Sequence, residues 1–333
     1  MDERKDSLKD EFMKHYKYYK SNAPRPSFEE VIIIGKCDDK IINLVPQETT
    51  EDPRAEMLGL VNFKDWQLFT FKKHPGLLYI KNPFTDSGQR YWIRKCLEEY
   101  PRKPNRLNID IDSDIQDWWN ECFRNRCDKQ LLKKLRWTTL GYHHNWDTKV
   151  YNENNRGVFP DDLAELSDVL ANYFGYTNFR AEAAIVNYYH MNSTLSAHTD
   201  HSEVNLDAPL FSFSFGQSAI FLIGGQEKST KPSAILINSG DVIVMSKEAR
   251  LCYHAVPKIV PSKESPWDIL GTSNLPKHNK NINFKYISTP EKITDQMIEN
   301  MDNKKWNKFK NYIQESRINM NVRQVLNDKQ LSL

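Results

Sequence analysis

From residue 183 onward the chain is written in short apolar runs separated by turn residues. The runs cover residues 183–189, 211–215, 219–223, 233–238, 242–246 and 251–254. Gly216-Gln217, Gly224-Gly225 and Ser239-Gly240-Asp241 supply the turn chemistry between them. Several short strands at this spacing predict a jelly-roll or barrel. Further on, strict alternation from Arg317 to Arg323 puts Arg317, Asn319, Asn321 and Arg323 on one face of a strand, with Ile318, Met320 and Val322 on the other. Two guanidinium groups on the polar face are costly unless anions pair with them. Six residues span roughly 20 Å of strand, and two long side chains leaning inward from its ends suit a short dicarboxylate. A solvated edge strand is the alternative.

Just after the first of these strands come His198 and Asp200, two residues apart. On a strand they project the same way. One imidazole and one carboxylate, joined by a second imidazole, make the three-ligand face of a non-haem Fe(II) oxygenase, which leaves positions open for a cosubstrate and dioxygen. His254, at the end of the 251–254 run, fits as the third ligand. His201 would face away, within reach of a supporting role, and His190 falls in a turn. Alone, the His-x-Asp pair reads equally well as a solvated surface turn. Asn187 and Tyr189 share a face just upstream, where an amide and a phenol can orient the cosubstrate. 2-Oxoglutarate is such a dicarboxylate, and the electron donor that an iron of this kind commonly uses.

Helical patterns flank the strands and make the chain α+β. An amphipathic helix with Leu8, Phe12, Tyr16 and Tyr19 follows a capping-box pattern at Ser7. Residues 86–100 read as a helix, and a second capping box at Ser113 precedes Ile115, Trp118, Trp119, Cys122 and Phe123. Pro160 starts another helix, and Trp306, Phe309, Tyr312 and Ile313 mark the last. Residues 36–60 are polar and read as a long loop or linker. Lys133, Lys134 and Arg136 precede Trp137, Tyr142, His143, His144 and Trp146. Such a stretch can stack a base while its basic flank neutralises phosphate, or it can form a packed aromatic corner.

The formal net charge of +2 neither requires nor forbids nucleic-acid binding, which needs only a local basic patch. Five scattered cysteines without a Cys-x-x-Cys pair argue against a disulfide framework and a zinc ribbon, and for a reducing intracellular compartment. No apolar run is long enough to span a bilayer, and the N-terminus has no signal-like apolar segment.

Asn187-Tyr188-Tyr189, His198-Thr199-Asp200-His201-Ser202-Glu203, Ser212-Phe213-Ser214-Phe215-Gly216, His254 and the segment from Arg317 to Arg323 together resemble the AlkB family of dioxygenases. The likeness is strongest over residues 133–326. It implies a double-stranded β-helix, or jelly-roll, that holds Fe(II) through His198, Asp200 and His254. It implies that Asn187, Tyr189, Arg317, Asn319 and Arg323 hold 2-oxoglutarate, with dioxygen as the oxidant. Trp137, Tyr142 and His198 match residues that border a flipped base in the bacterial protein, although the intervening loop is shorter here. His144 is expected to join them. Ser202 stands where the bacterial protein has an acidic residue, which bears on substrate choice.

The resemblance also implies a division into an N-terminal helix and linker (1–65), a helical nucleotide-recognition region (66–180) and the dioxygenase core (181–330). The expected activity is hydroxylation of a methyl group on a base, with loss of formaldehyde where that methyl is on nitrogen. Expected substrates are N1-methyladenine and 5-methylcytosine in tRNA and N6-methyladenine in locally unpaired DNA, gripped by Lys133, Lys134 and Arg136. A monomer without membrane association is expected, in the nucleus or mitochondrion, with the cytoplasm as alternative. The rival readings are a protein (histone) demethylase or hydroxylase, and a non-catalytic nucleic-acid binding module.

Overall fold

The computed structural model describes residues 10–36, 38–46, 51–268 and 282–333. Its helices are α1 (Glu11–Lys20), α2 (Arg54–Met57), α3 (Asp86–Arg94), α4 (Trp118–Cys122), α5 (Lys129–Lys134), α6 (Asp161–Tyr173), α7 (Glu291–Glu299) and α8 (Asn303–Ile313). The strands are β1 (Ile41–Leu44), β2 (Gln67–Phe71), β3 (His74–Lys81), β4 (Arg106–Leu107), β5 (Trp137–Gly141), β6 (Ala183–His190) and β7 (Leu195–His198). They continue as β8 (Leu210–Gly216), β9 (Ser218–Ile223), β10 (Ser233–Ile237), β11 (Val242–Met245), β12 (His254–Val260) and β13 (Ser316–Arg323).

Period-two alternation sorts these strands into two sheets. The larger runs β1-β2-β3-β11-β8-β13-β6-β5-β4, and the smaller β10-β9-β12-β7. Across the larger sheet the register aligns Val186, Met320, Phe213, Val242 and Ile80 in one apolar row. That face packs against Trp92 of α3, Leu166 and Leu170 of α6, and Trp306 and Phe309 of α8. The opposite face turns toward the smaller sheet, and Tyr79, Ile243, Ile223, Ile235 and Ile237 fill the space between them. Helix α1 covers the outer face of the smaller sheet through Phe12, Tyr16 and Tyr19, which meet Ile220, Leu222 and Ala255. Burying each such ring is worth roughly 1.5–3 kcal/mol. The result is the expected α+β jelly-roll with flanking helices.

Several local boundaries differ from the sequence expectations. The Ser7 capping box lies outside the described residues. The cap of α1 is Asp10, whose carboxylate accepts from the Met13 N–H at 2.7 Å. Helix α4 begins only at Trp118, because Asp117 and not Ser113 accepts from the Asn120 N–H. The helix expected over 86–100 is α-helical to Arg94 and then widens into a π turn over Lys95–Glu99. Residues 36–60 carry β1, which pairs with β2, and α2, which buries Ala55 and Met57. Arg54 anchors α2 to α6 through Glu165 at 2.5 Å and Asp168 at 2.9 Å. The strand expected at 251–254 instead starts at His254 and runs to Val260, with a 3-10 turn over Lys247–Leu251 before it. It passes Pro257 by a register shift between Ala255 and Lys258, where the missing N–H leaves no ladder bond to break.

Candidate active site

Strands β7 and β12 pair so that His198 and His254 lie directly opposite, with ring centroids 4.2 Å apart. Asp200 falls two residues beyond β7. The turn after His198, and not strand alternation, brings its carboxylate to 3.6 Å from His254 Nε2. One ligand atom from each of His198, Asp200 and His254 lies within 4.8 Å of the others. The tautomers follow from the backbone. His254 Nδ1 bonds to the Cys252 carbonyl at 3.1 Å, and His198 Nδ1 to the Ser196 carbonyl at 2.9 Å. A carbonyl only accepts, so both Nδ1 atoms carry the proton and both Nε2 lone pairs are free for a metal. Burial, then the neighbouring His198, lowers His254 to about 4, which keeps its imidazole neutral. His201 bonds through Nδ1 to Thr199 and is not part of this group.

A buried charge network supports Asp200. Burial alone would raise its carboxyl, but Arg323, with His254 and His198, holds it well below the usual carboxylate range. Arg323 Nη2 lies 2.9 Å from Asp200 Oδ1, and its Nε lies 3.2 Å from Glu203 Oε1. Arg250 reaches Glu203 Oε2 at 3.0 Å and donates to the Asp200 backbone carbonyl at 2.7 Å. The Tyr151 hydroxyl donates to Glu203 Oε1 at 3.1 Å. Arg323, expected to face a free carboxylate, is therefore already paired. Sequence reasoning missed Arg250, Glu203 and Tyr151 as members of this network. Glu203, three residues after Asp200, was the available signal; Arg250 and Tyr151 lie far from it in the chain.

Arg317 is in the opposite condition. It is 3% exposed and its Nη2 donates to Ser214 Oγ at 2.8 Å, yet among the described residues its buried Nε and Nη1 have no partner. The Tyr189 hydroxyl, on the residue paired with Arg317 across β6 and β13, is likewise buried and unpartnered. Burial lowers Arg317 to about 10. The nearby Asp241 carboxyl is pushed up by burial to about 6, and already accepts from the Tyr79 hydroxyl and the Asn238 and Asn82 N–H groups. Unpaired guanidinium nitrogens beside an unpaired phenol form a cradle that a carboxylate completes. Asn319 and Asn187 form the next pair along these strands. Asn319 Nδ2 donates to Ser212 Oγ at 2.9 Å and the Phe213 carbonyl at 3.0 Å.

A cavity of about 610 Å³ opens over His198, Asp200 and Asn187, and Arg317, Tyr189, Asn319 and His254 lie outside its lining. His198, Asp200, Ser202, Asn187, Asn321, Arg323 and the buried Tyr151 line it, together with the half-buried His144 and the exposed Trp146, Lys149 and Lys228. His144 contacts the rings of Trp146 and Tyr151 at centroid distances of 4.8 and 5.4 Å. Trp137 does not line the cavity but backs Trp146 at 5.3 Å. Tyr142 is not brought to the cavity. It is buried with Tyr151, Ala183, Val325 and Leu326, its hydroxyl donates to Glu153 at 2.5 Å, and Arg156 lies 4.5 Å over its ring. Gly141 just before it has φ +67°, and a Cβ there would sit 2.1 Å from the Glu182 carbonyl oxygen, so this close approach requires glycine. Lys133, Lys134 and Arg136 line a different cavity. Trp146 belongs to the aromatic stretch that the sequence marked for base stacking, whereas Lys149, Lys228 and Tyr253 had no sequence signal, because loop conformation alone places them.

The model of the 2OG-Fe(II) oxygenase superfamily matches residues 76–323, which span the histidines, Asp200 and both arginines. Over 340 residues the chain is 36% identical to human "Nucleic acid dioxygenase ALKBH1", covering 95% of this chain and 84% of that protein. The chain is an AlkB-family 2OG-Fe(II) oxygenase. It is 35% identical to "tRNA demethylase abh1" of Schizosaccharomyces pombe, over 64% of this chain and 78% of that one. It is 30% identical to "DNA N(6)-methyladenine demethylase ALKBH1A" of Arabidopsis thaliana, over 78% and 77% respectively. As a member of this superfamily, the AlkB-family enzyme uses Fe(II), 2-oxoglutarate and dioxygen.

Proposed function

We propose that this AlkB-family oxygenase oxidises methylated bases in nucleic acid, with tRNA and locally unpaired DNA as its substrates. The observation that carries this reading is the pair of rings, His144 and the exposed Trp146, that share one cavity with His198 and Asp200, with the buried Tyr151 behind them. A planar base can stack there only if it is unpaired or flipped, since no base inside a duplex reaches such a depth. The printed names of the relatives, a tRNA demethylase and a DNA N(6)-methyladenine demethylase, support the same class.

His198, Asp200 and His254 would hold Fe(II) through two neutral Nε2 atoms and one carboxylate. Arg317 and Tyr189 would take one carboxylate of 2-oxoglutarate, with Asn187 and Asn319 along its length. Arg323 keeps Asp200 ionised and aimed at the metal, at the end of the strand where the second carboxylate would lie. Iron, 2-oxoglutarate and dioxygen, when bound together, supply the oxidising power that inserts oxygen into a methyl C–H bond. Tyr151 and Glu203 close the wall behind Asp200, and the rings of His144 and Trp146 orient the base and exclude water. A hydroxymethyl group on nitrogen then leaves as formaldehyde, whereas one on the carbon of 5-methylcytosine stays attached. The chain acts as a monomer in this reading.

The test compares tRNA bearing N1-methyladenine and 5-methylcytosine, bubble DNA bearing N6-methyladenine, and a methylated histone peptide, each with Fe(II) and 2-oxoglutarate. Succinate, formaldehyde and base mass are followed. Turnover of a nucleic acid, abolished in His198→Ala while binding persists, is expected. Formaldehyde from the peptide alone would overturn the reading.

A further inference from the structure

The larger cavity of the molecule is not the one that holds the metal ligands. It measures about 1670 Å³ and runs between α5 and the turn before it on one side and α8 on the other. Its floor is the β6–β7 turn, residues 190–193. Eight cationic side chains line it against three carboxylates, in a chain whose total charge is only +2. The carboxylates do not neutralise the cations evenly. Arg94 pairs with Glu98 and Glu299, Lys305 with Glu299, and Lys308 with Glu98. Lys129, Lys133, Lys134, Arg136 and Lys304 are exposed, and among the described residues none of them has a carboxylate within ion-pair distance. Exposed like charges repel, so five of them around one groove constitute a site for a polyanion.

The path of the chain indicates which polyanion. Residues 190–193 floor the groove, and residues 194–203 line the base cavity, so one continuous segment joins the two. Arg136 donates to Ser193 Oγ at 2.5 Å at the junction, and the next residue, Trp137, backs Trp146, which lines the base cavity. From Ser193 to His198 the strand covers at most about 17 Å. A strand whose base enters the metal cavity would therefore lay its neighbouring phosphates in this groove. Phe123, Leu132 and Met191 give the groove an apolar lining against which sugars or unpaired bases can rest.

We propose that the groove between α5 and α8 holds the sugar-phosphate backbone on one side of the target base, with Lys129 and Lys304 gripping from opposite walls. This assignment rests on the nucleic-acid reading above. It is tested by fluorescence anisotropy with a labelled unpaired oligonucleotide over a salt series, using the full chain. Each phosphate contact on a single strand contributes about −0.7 to the slope of log K against log salt. Lys129→Gln/Lys133→Gln/Lys304→Gln should therefore weaken binding and flatten that slope by about 2. Lys64→Gln/Lys72→Gln/Lys73→Gln removes the same charge from exposed lysines at or before the β2–β3 hairpin, strands away across the sheet, and should leave the slope unchanged. Equal flattening in both variants, or none in the first, overturns the groove alone. Polyglutamate competing as strongly as an oligonucleotide of equal charge overturns the choice of polyanion. A wild-type chain that binds no nucleic acid overturns both the groove and the functional reading.

Discussion

Replacing Arg317 by methionine separates a ligand-binding arginine from a structural one, because the two roles predict opposite signs. The guanidinium is 3% exposed, and burial lowers it to about 10, which corresponds to roughly 3 kcal/mol against the charged form in the folded chain. Its one hydrogen bond, to Ser214 Oγ at 2.8 Å, returns about 1.5–2 kcal/mol. Arg317→Met should therefore leave the protein without 2-oxoglutarate as stable as wild type, or more stable by about 1 kcal/mol, because methionine fills much of the same volume. Binding should respond in the other direction. Wild type at 100 times its dissociation constant for 2-oxoglutarate gains about 2.7 kcal/mol of stability, and the variant at the same concentration should gain almost nothing. Urea unfolding with Mn(II) replacing Fe(II), with and without 2-oxoglutarate, reads both quantities. A loss above about 2 kcal/mol in the ligand-free protein, the ordinary outcome for a damaged core, would refute the argument. So would an undiminished response to 2-oxoglutarate.

Trp146→Ala should weaken binding of an unpaired methylated oligonucleotide by about 5- to 150-fold, the equivalent of 1–3 kcal/mol of base stacking. Because Trp146 is 46% exposed, Tm should move little, and unchanged affinity would remove it from the base site. His143 is buried, bonded through Nδ1 to Thr139 Oγ1 at 2.8 Å, and lowered to about 4 by burial and then by Arg106. An unfolded chain takes up that proton near pH 6.5 and the native chain only near 4, so stability falls as pH drops through this window, by up to about 1.4 kcal/mol per pH unit. In a denaturant series from pH 7 to pH 5, His143→Gln should lose part of this dependence, and parallel curves for the two proteins would exclude the assignment.

The elements whose role depends on alternation were legible in the chain itself. Arg317 could be placed on one face with Asn319, and Tyr189 on one face with Asn187, because period two leaves no freedom within a strand; the pairing of Arg317 with Tyr189 came from the register of β6 and β13. His254 was expected as the third ligand at the end of a run over 251–254; the ladder does set it opposite His198, but as the first residue of β12 and not the last of a strand. Asp200 reached the right place for a different reason, a turn beyond the strand that Arg250 helps to hold. Tyr142 shows what pattern cannot supply. It and His144 sit two residues apart in the same aromatic stretch, yet one packs in the core and the other lines the cavity, because the chain leaves strand geometry after Gly141 and alternation no longer applies. The Lys133-Lys134-Arg136 run was recognisable as basic, but the wall that faces it comes from α8, far along the chain. The start of α4 turned on one hydrogen bond, from Asn120 to Asp117 in place of Ser113, which propensity does not resolve.

The ring of charges around Asp200 has a thermodynamic corollary. Asp200, Glu203, Arg250 and Arg323, with Arg317 and the Asp241 carboxylate beside it, carry three negative and three positive charges in a buried volume, so the protein's own charges there sum to about zero. A divalent cation alone leaves that volume doubly positive, and a dicarboxylate alone doubly negative, each in a medium that screens poorly. Only the two together restore the original balance. Each should therefore tighten the other's affinity by the same factor, as linkage between two binding equilibria demands. The protein would then discriminate against half-filled states of either kind, the metal without the dicarboxylate as much as the dicarboxylate without the metal.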